Sequence, residues 1–163
     1  MKKVFLVAAF TVAGFVGLNA QKDFKFGAGV VAALPIGDAG DISNFAAGVE
    51  LQGELGFTEK VKGVATTGYT HFFGKDLGFG LGKVKFGAIP ILVGVRGYLS
   101  ENFFVTGQVG YGVFTGDADG GGFAYKPQVG YDAGKFQLAL AYQGISDDGA
   151  TISTLGLSGI IKF

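Results

Sequence analysis

The chain has 163 residues, no cysteine, and 13 basic against 13 acidic side chains, so its formal net charge is zero. A disulfide framework and thiolate chemistry are excluded, and no basic stripe marks a nucleic-acid partner. Only 16% of residues are charged, against roughly 25% in a soluble domain, and mean hydropathy is +0.42; so apolar a chain needs either an apolar solvent or a core larger than this length can build.

Lys2 and Lys3 form a short basic start, Val4 to Val16 is mostly apolar, and Ala20 is a small residue ahead of Gln21. This is the three-part pattern of a secretory signal peptide over residues 1–20, with the mature chain starting at Gln21. The apolar run falls short of the about 20 residues of a spanning helix. No later stretch reaches even roughly 18 apolar residues, so any membrane crossing must use strands.

From Gln21 onward the chain alternates with period 2 between breaks rich in glycine and aspartate, which predicts strands. The first runs from about Asp23 to Leu34, with Phe24, Phe26, Ala28, Val30 and Ala32 on one face. Phe45 to Phe57 is the clearest, setting Val49, Leu51 and Leu55 against Glu50, Gln52 and Glu54. Val64 to Phe73 has an ambiguous phase. Phe86 to Leu99 follows, then Phe103 to Phe114, Phe123 to Asp132 and Phe136 to Gly144. An eighth strand ends on Phe163. Pro90 lies inside the fourth strand; a proline removes a ladder donor, which predicts a local bulge there.

The breaks alternate in length. Thr58–Gly63, Ser100–Asn102 and Ala133–Lys135 are short; Pro35–Asn44, Gly74–Lys85, Thr115–Gly122 and Ile145–Ala150 are longer. Short turns on one side and longer loops on the other, with an even strand number, are the pattern of an up-and-down transmembrane barrel. The expected fold is therefore an all-β, eight-stranded antiparallel transmembrane β-barrel in one domain, residues 21–163. A secreted soluble barrel would turn Val49, Leu51 and Leu55 inward. The polar face argues against it, being mostly Gly, Ala, Thr, Ser and Gln, suited to a cramped lumen. Aromatics also gather at strand ends, as interfacial girdles do: Phe24, Phe26, Phe57, Phe103, Tyr131, Phe136 and Phe163 at one end, Phe73, Phe114, Phe123, Tyr125 and Tyr142 toward the other.

Four features carry a resemblance: Ile89-Pro90-Ile91 leading into Gly94-Val95-Arg96-Gly97-Tyr98, the Asn102-Phe103-Phe104-Val105 restart, Gly110-Tyr111-Gly112, and the aromatic carboxyl-terminal Phe163. On these the chain resembles the small eight-stranded outer-membrane β-barrel family, similar in architecture to OmpA and to the porin-like barrel-domain proteins of Bacteroidetes. The resemblance implies a bacterial outer-membrane location with both termini periplasmic, and surroundings of outer-membrane lipid and lipopolysaccharide. It makes Phe163 part of the signal read by the barrel-assembly machinery. It implies a non-enzymatic structural or narrow-pore protein, or a subunit of a larger outer-membrane assembly, without a cofactor. Two alternatives stand beside it: a barrel enzyme acting on lipid A or phospholipid, and a surface adhesin.

Alternation turns Glu50, Gln52 and Glu54, then Arg96, Gln108, Lys126, Gln128 and Gln143, toward the lumen. Buried charges must be paired. Counting from the strand ends puts Glu54 level with Arg96 and Glu50 level with Lys126, predicting an internal network with the glutamines completing its hydrogen bonds. The plain reading is a static polar filling; the sharper one is a closed polar gate. The single histidine, His71, beside Thr67, Tyr69 and Thr70, has no serine motif near it in sequence, which leaves a rim histidine rather than a catalytic one. Asp117, Asp119, Asp147 and Asp148 stand next to glycines but lack the remaining ligands of a calcium loop, so no metal is expected. Finally Ala28, Ala32, Ala47, Gly53 and Gly159 are small outward residues on neighbouring strands, a candidate face for another outer-membrane protein.

Overall fold

The computed structural model describes residues 24–76, 83–116, 118, 120–147 and 149–163. The leader residues 1–20, Gln21, Asp23, Asp117, Asp119 and Asp148 lie outside them. Eight strands follow in chain order: β1 Phe24–Ile36, β2 Ser43–Gly56, β3 Val61–Asp76, β4 Lys83–Tyr98, β5 Phe103–Gly116, β6 Gly121–Asp132, β7 Phe136–Asp147 and β8 Ala150–Lys162. Each pairs antiparallel with its sequence neighbours, and β1 also pairs with β8, so the sheet closes into an eight-stranded barrel with no free edge.

A short helix, α1 (Asp38–Ile42), stands between β1 and β2, where a loop was expected. The strands also run longer than expected, 12 to 16 residues, because pairing continues into segments rich in turn residues. The predicted break Ile145–Ala150 shrinks accordingly: β7 runs to Asp147 and β8 starts at Ala150, around Gly149 at φ +91°, a conformation glycine adopts without steric penalty.

Faces follow the alternation. Val30 is 64% exposed and Ile161 56%, while Arg96 is fully buried. The outward faces are apolar and the inward faces carry the charges, the inverse of a soluble barrel, and the pattern lipid requires. The ambiguous β3 resolves: Phe72 and Thr66 point inward and are buried, while Tyr69 and Phe73 point outward and are exposed. Phe114 departs from expectation. It turns inward, edge-on to Phe86 with ring centroids 6.4 Å apart, because its parity is that of Gly110 and Gly112 rather than of Tyr111.

The bulge predicted at Pro90 is not formed. Thr67 pairs with Ile91 and Thr70 with Ala88, the same register on both sides, and on the β5 side Pro90 pairs with Gly112 without interruption. The proline omits a rung and leaves the register intact, because the ladder above and below it is locked by regular pairs. Register shifts occur instead at Ser43/Phe45 and Phe73/Asp76, next to α1 and at the far end of β3.

Candidate functional site

The lumen is layered. Toward the α1 end, Ala33, Ala46, Phe72, Phe86, Ala88, Leu92, Ala124 and Ile145 form a buried apolar cluster, with Ile42 of α1, Phe114 and Ile152 packed on it. The Phe72 and Phe86 rings stack 4.5 Å apart. Lys75 Nζ donates to the Gly40 carbonyl at 2.6 Å, tying α1 to β3. Such a layer fills that depth of the lumen with apolar side chains.

Toward the end that carries both strand termini, the filling is ionic. Glu54 Oε1 accepts from Arg96 Nη1. Arg96 Nη2 donates to Gln52 Oε1 at 3.0 Å, Arg96 Nε donates to Thr106 Oγ1 at 2.9 Å, and its guanidinium lies 4.1 Å from the Phe104 ring centre. Gln52 Nε2 donates to Glu54 at 2.9 Å and to Gln137 Oε1 at 3.0 Å. Lys62 reaches Glu54 at 3.3 Å, and Lys162 reaches Asp132 at 2.5 Å and Glu54 at 3.9 Å. The Tyr98 hydroxyl accepts from Lys62 at 3.0 Å and donates to Asp132 at 2.6 Å. Each charge is thus met by an opposite charge, and Arg96, Glu54, Lys62 and Asp132 by further hydrogen bonds, the condition under which buried ions persist.

Between these layers lies a small chamber lined by Glu50, Thr70, Pro90, Lys126, Gln143 and Thr154, among others. Lys126 Nζ donates to Glu50 Oε2 at 2.5 Å. Among the described residues Glu50 Oε1 has no hydrogen-bond partner, nor do the side-chain carbonyls of Gln108 and Gln128. Gln108 Nε2 donates to Thr66 Oγ1 at 2.7 Å. The structure therefore divides the eight anticipated residues. Gln52, Glu54 and Arg96 sit in the ionic layer, Glu50 and Lys126 in the chamber, and Gln108 beside Thr66. Gln128 is buried and joins neither ion pair, and Gln143 is half-buried on the chamber wall.

Sequence reasoning missed Lys62, Tyr98, Asp132, Gln137 and Lys162 as network members. Asp132 shares parity with Lys126 and Gln128, and Lys162 with Ser158; that was the available signal. Lys62 fell within a segment read as a turn.

Outside, His71 forms an aromatic row with Tyr69 and Phe73. Its ring is edge-on to Phe73 at 4.9 Å, and Nδ1 lies 3.4 Å from the Tyr69 hydroxyl. The small outward residues are less smooth than their sequence suggests. Ala32 pairs with Ala47, but the Phe24 ring overlies Gly53, 3.2 Å from where a Cβ would stand, and the Phe136 ring flanks Gly159. Phe163 is exposed, and its N–H donates to the Phe26 carbonyl at 2.8 Å across the β1–β8 closure.

No family model and no curated protein matches the chain. Solved structures do. Ail, an outer membrane protein of Yersinia pestis studied in a phospholipid bilayer nanodisc, superposes with a TM-score of 0.63 at 15% identity, over 88% of this chain and 100% of that one. The chain has the fold of a small outer-membrane β-barrel. The N-terminal β-barrel domain of Pseudomonas aeruginosa OprF (TM-score 0.53, 10% identity, 85% of this chain and 97% of that one) shares this fold. So does the outer membrane protein OprG of the same species (TM-score 0.50, 16% identity, 86% and 95%). At these identities the likeness concerns architecture.

Proposed function

We propose that this chain is a non-enzymatic integral outer-membrane barrel whose lumen is closed along its axis, acting as a structural membrane protein or as a subunit of a larger outer-membrane assembly. The observation that carries the reading is the two-layer filling: the Phe72–Phe86 stack with its apolar neighbours, backed by the Glu54–Arg96 network. A water-filled pore needs a continuous polar lumen, and the apolar layer interrupts it. The exposed apolar faces of all eight strands support a lipid setting. The motifs around Pro90 and Tyr98 support kinship with the porin-like barrel-domain proteins of Bacteroidetes.

In this reading residues 1–20 export the chain, both strand termini lie on the periplasmic side, and α1 lies toward lipopolysaccharide. Phe163 serves the barrel-assembly machinery and also anchors the closing strand at the interface. The attachment and invasion in the name of Ail have little counterpart in this reading, since the connections β5–β6 and β7–β8 span only a few residues.

Reconstitution into lipid vesicles tests the closure. Vesicles holding the protein are expected to retain small sugars as well as protein-free vesicles do. Sugar efflux that scales with protein content would reject it.

A further inference from the structure

The outward surface is not of even height. Along β1 every outward position from Phe24 to Ile36 is apolar. Along β2 the same holds from Phe45 to Phe57, just past the strand's end, with glycine at 53. Each run is twelve residues long. On β7 the outward run starts at Phe136 and stops six residues on at Tyr142, with Gly144 and Ser146 beyond. On β8 it reaches from Phe163 back to Leu155, eight residues, and Ser153 and Thr151 follow. At about 3.3 Å per residue and a tilt of about 40°, twelve residues rise about 30 Å along the barrel axis, six to eight only about 15–20 Å. The step is abrupt at the closure: Leu34 pairs with Leu155, but the next outward pair sets Ile36 against Ser153. The short side ends in a built rim. The Tyr142 hydroxyl lies 2.8 Å from Ser153 Oγ, and Ser146 Oγ lies 2.9 Å from Thr151 Oγ1. The Tyr125 ring stacks on Tyr142 with centroids 5.9 Å apart and covers Gly144.

We propose that the β7–β8 face thins the bilayer beside it, drawing lipid headgroups and their water down to the level of Tyr142 and Ser153. A transmembrane barrel's apolar band is about 25 Å tall. The β1 and β2 faces exceed it, and the β7 and β8 faces fall short. Tilting the barrel cannot reconcile them, because a tilt moves both edges of one side together and leaves the length of that side unchanged. A short apolar face is met by a locally thinner bilayer, at modest cost. Lipid is the occupant because the sequence of groups up β7 and β8 is that of a hydrocarbon–water boundary: exposed leucines, then tyrosine rings, then hydroxyls. Within each hydroxyl pair one group donates to the other, so a second proton is left over, and headgroups and water accept it where hydrocarbon does not. Among the described residues no outward side chain of β7 or β8 is charged. The inference rests on the lipid setting proposed above.

The chain has no tryptophan, so single replacements report depth without background. Tyr142→Trp, Phe45→Trp and Val30→Trp are placed in dioleoylphosphatidylcholine vesicles carrying either a headgroup nitroxide or mid-chain bromines. Val30→Trp, on a residue 64% exposed, is expected to be quenched mainly by the bromines. Tyr142→Trp is expected to match Phe45→Trp, with headgroup quenching at least about twofold stronger than mid-chain quenching. Adding Ser146→Val, Thr151→Val and Ser153→Ala lengthens the apolar run and is expected to reverse that ratio at position 142. A Tyr142→Trp indole quenched like that of Val30→Trp means a flat bilayer and overturns the thinning. A ratio unmoved by the three added changes overturns the role of the hydroxyl rim. An indole at position 142 shielded from both quenchers means that protein covers the face, and overturns lipid as its occupant. Loss of mid-chain quenching in Val30→Trp would break the lipid setting itself, and so separates that failure from the others.

Discussion

Glu54 is the most heavily shared side chain of the lumen, meeting Arg96, Lys62, Lys162, Gln52 and Gln137. Removing one partner of a buried ion pair costs about 3–5 kcal/mol, because the other charge is left uncompensated, whereas replacing both by apolar groups is often neutral. Glu54→Ala is therefore expected to lower the unfolding free energy by about that amount in urea titrations of the vesicle-embedded protein. Glu54→Leu combined with Arg96→Met should recover part of the loss; a single variant as stable as the parent would show that the network does not hold the barrel. Gly94 plays a different part. A Cβ there would lie 1.9 Å from the Gly107 carbonyl on the facing strand. Gly94→Ala must push β4 and β5 apart, at about 1–3 kcal/mol by analogy with overpacked cores, and the same urea titration reads it.

Strands were legible in the sequence wherever alternation was strong. The pairs Val49/Glu50 and Val129/Gln128 declare their faces, and lipid outside with charges inside follows from their chemistry. Element ends were not legible. Pairing energy carries β7 to Asp147 and β3 back to Val61 through residues that favour turns in isolation, which is why Lys62 was read as turn. The helix α1 has five residues, two of them aspartate and one glycine, so it lacks the apolar periodicity that marks a helix. It is held by Ile42 on the apolar cluster and by Lys75 on Gly40. Phe114 was assigned by its place near a strand end, while the pleat assigns it by parity. The outward strand faces give a direct test. Val30→Arg, on a residue 64% exposed, is expected to destabilise the barrel in lipid by about 2–4 kcal/mol if it sits near the midplane. The same change in a soluble barrel would be close to neutral, and a neutral result in urea titration would contradict a lipid-facing β1.

At the scale of the molecule, the closed ladder, the apolar exterior and the layered lumen are what the proposed closed barrel rests on, with an interior taken up by packed side chains. The ionic layer meets the turn end, the apolar layer meets α1, and the small Glu50–Lys126 chamber lies between. The fold was readable from alternation, whereas the apolar layer behind the proposed closure was not, because it depends on Phe72 and Phe86 meeting across β3 and β4. The most direct measurement is single-channel recording of the purified protein in a planar bilayer. The expected result is no ohmic conductance above the bare membrane, with steps appearing when Phe72→Ala and Phe86→Ala are combined with Arg96→Ala. A steady conductance from the unaltered protein would contradict the closed lumen.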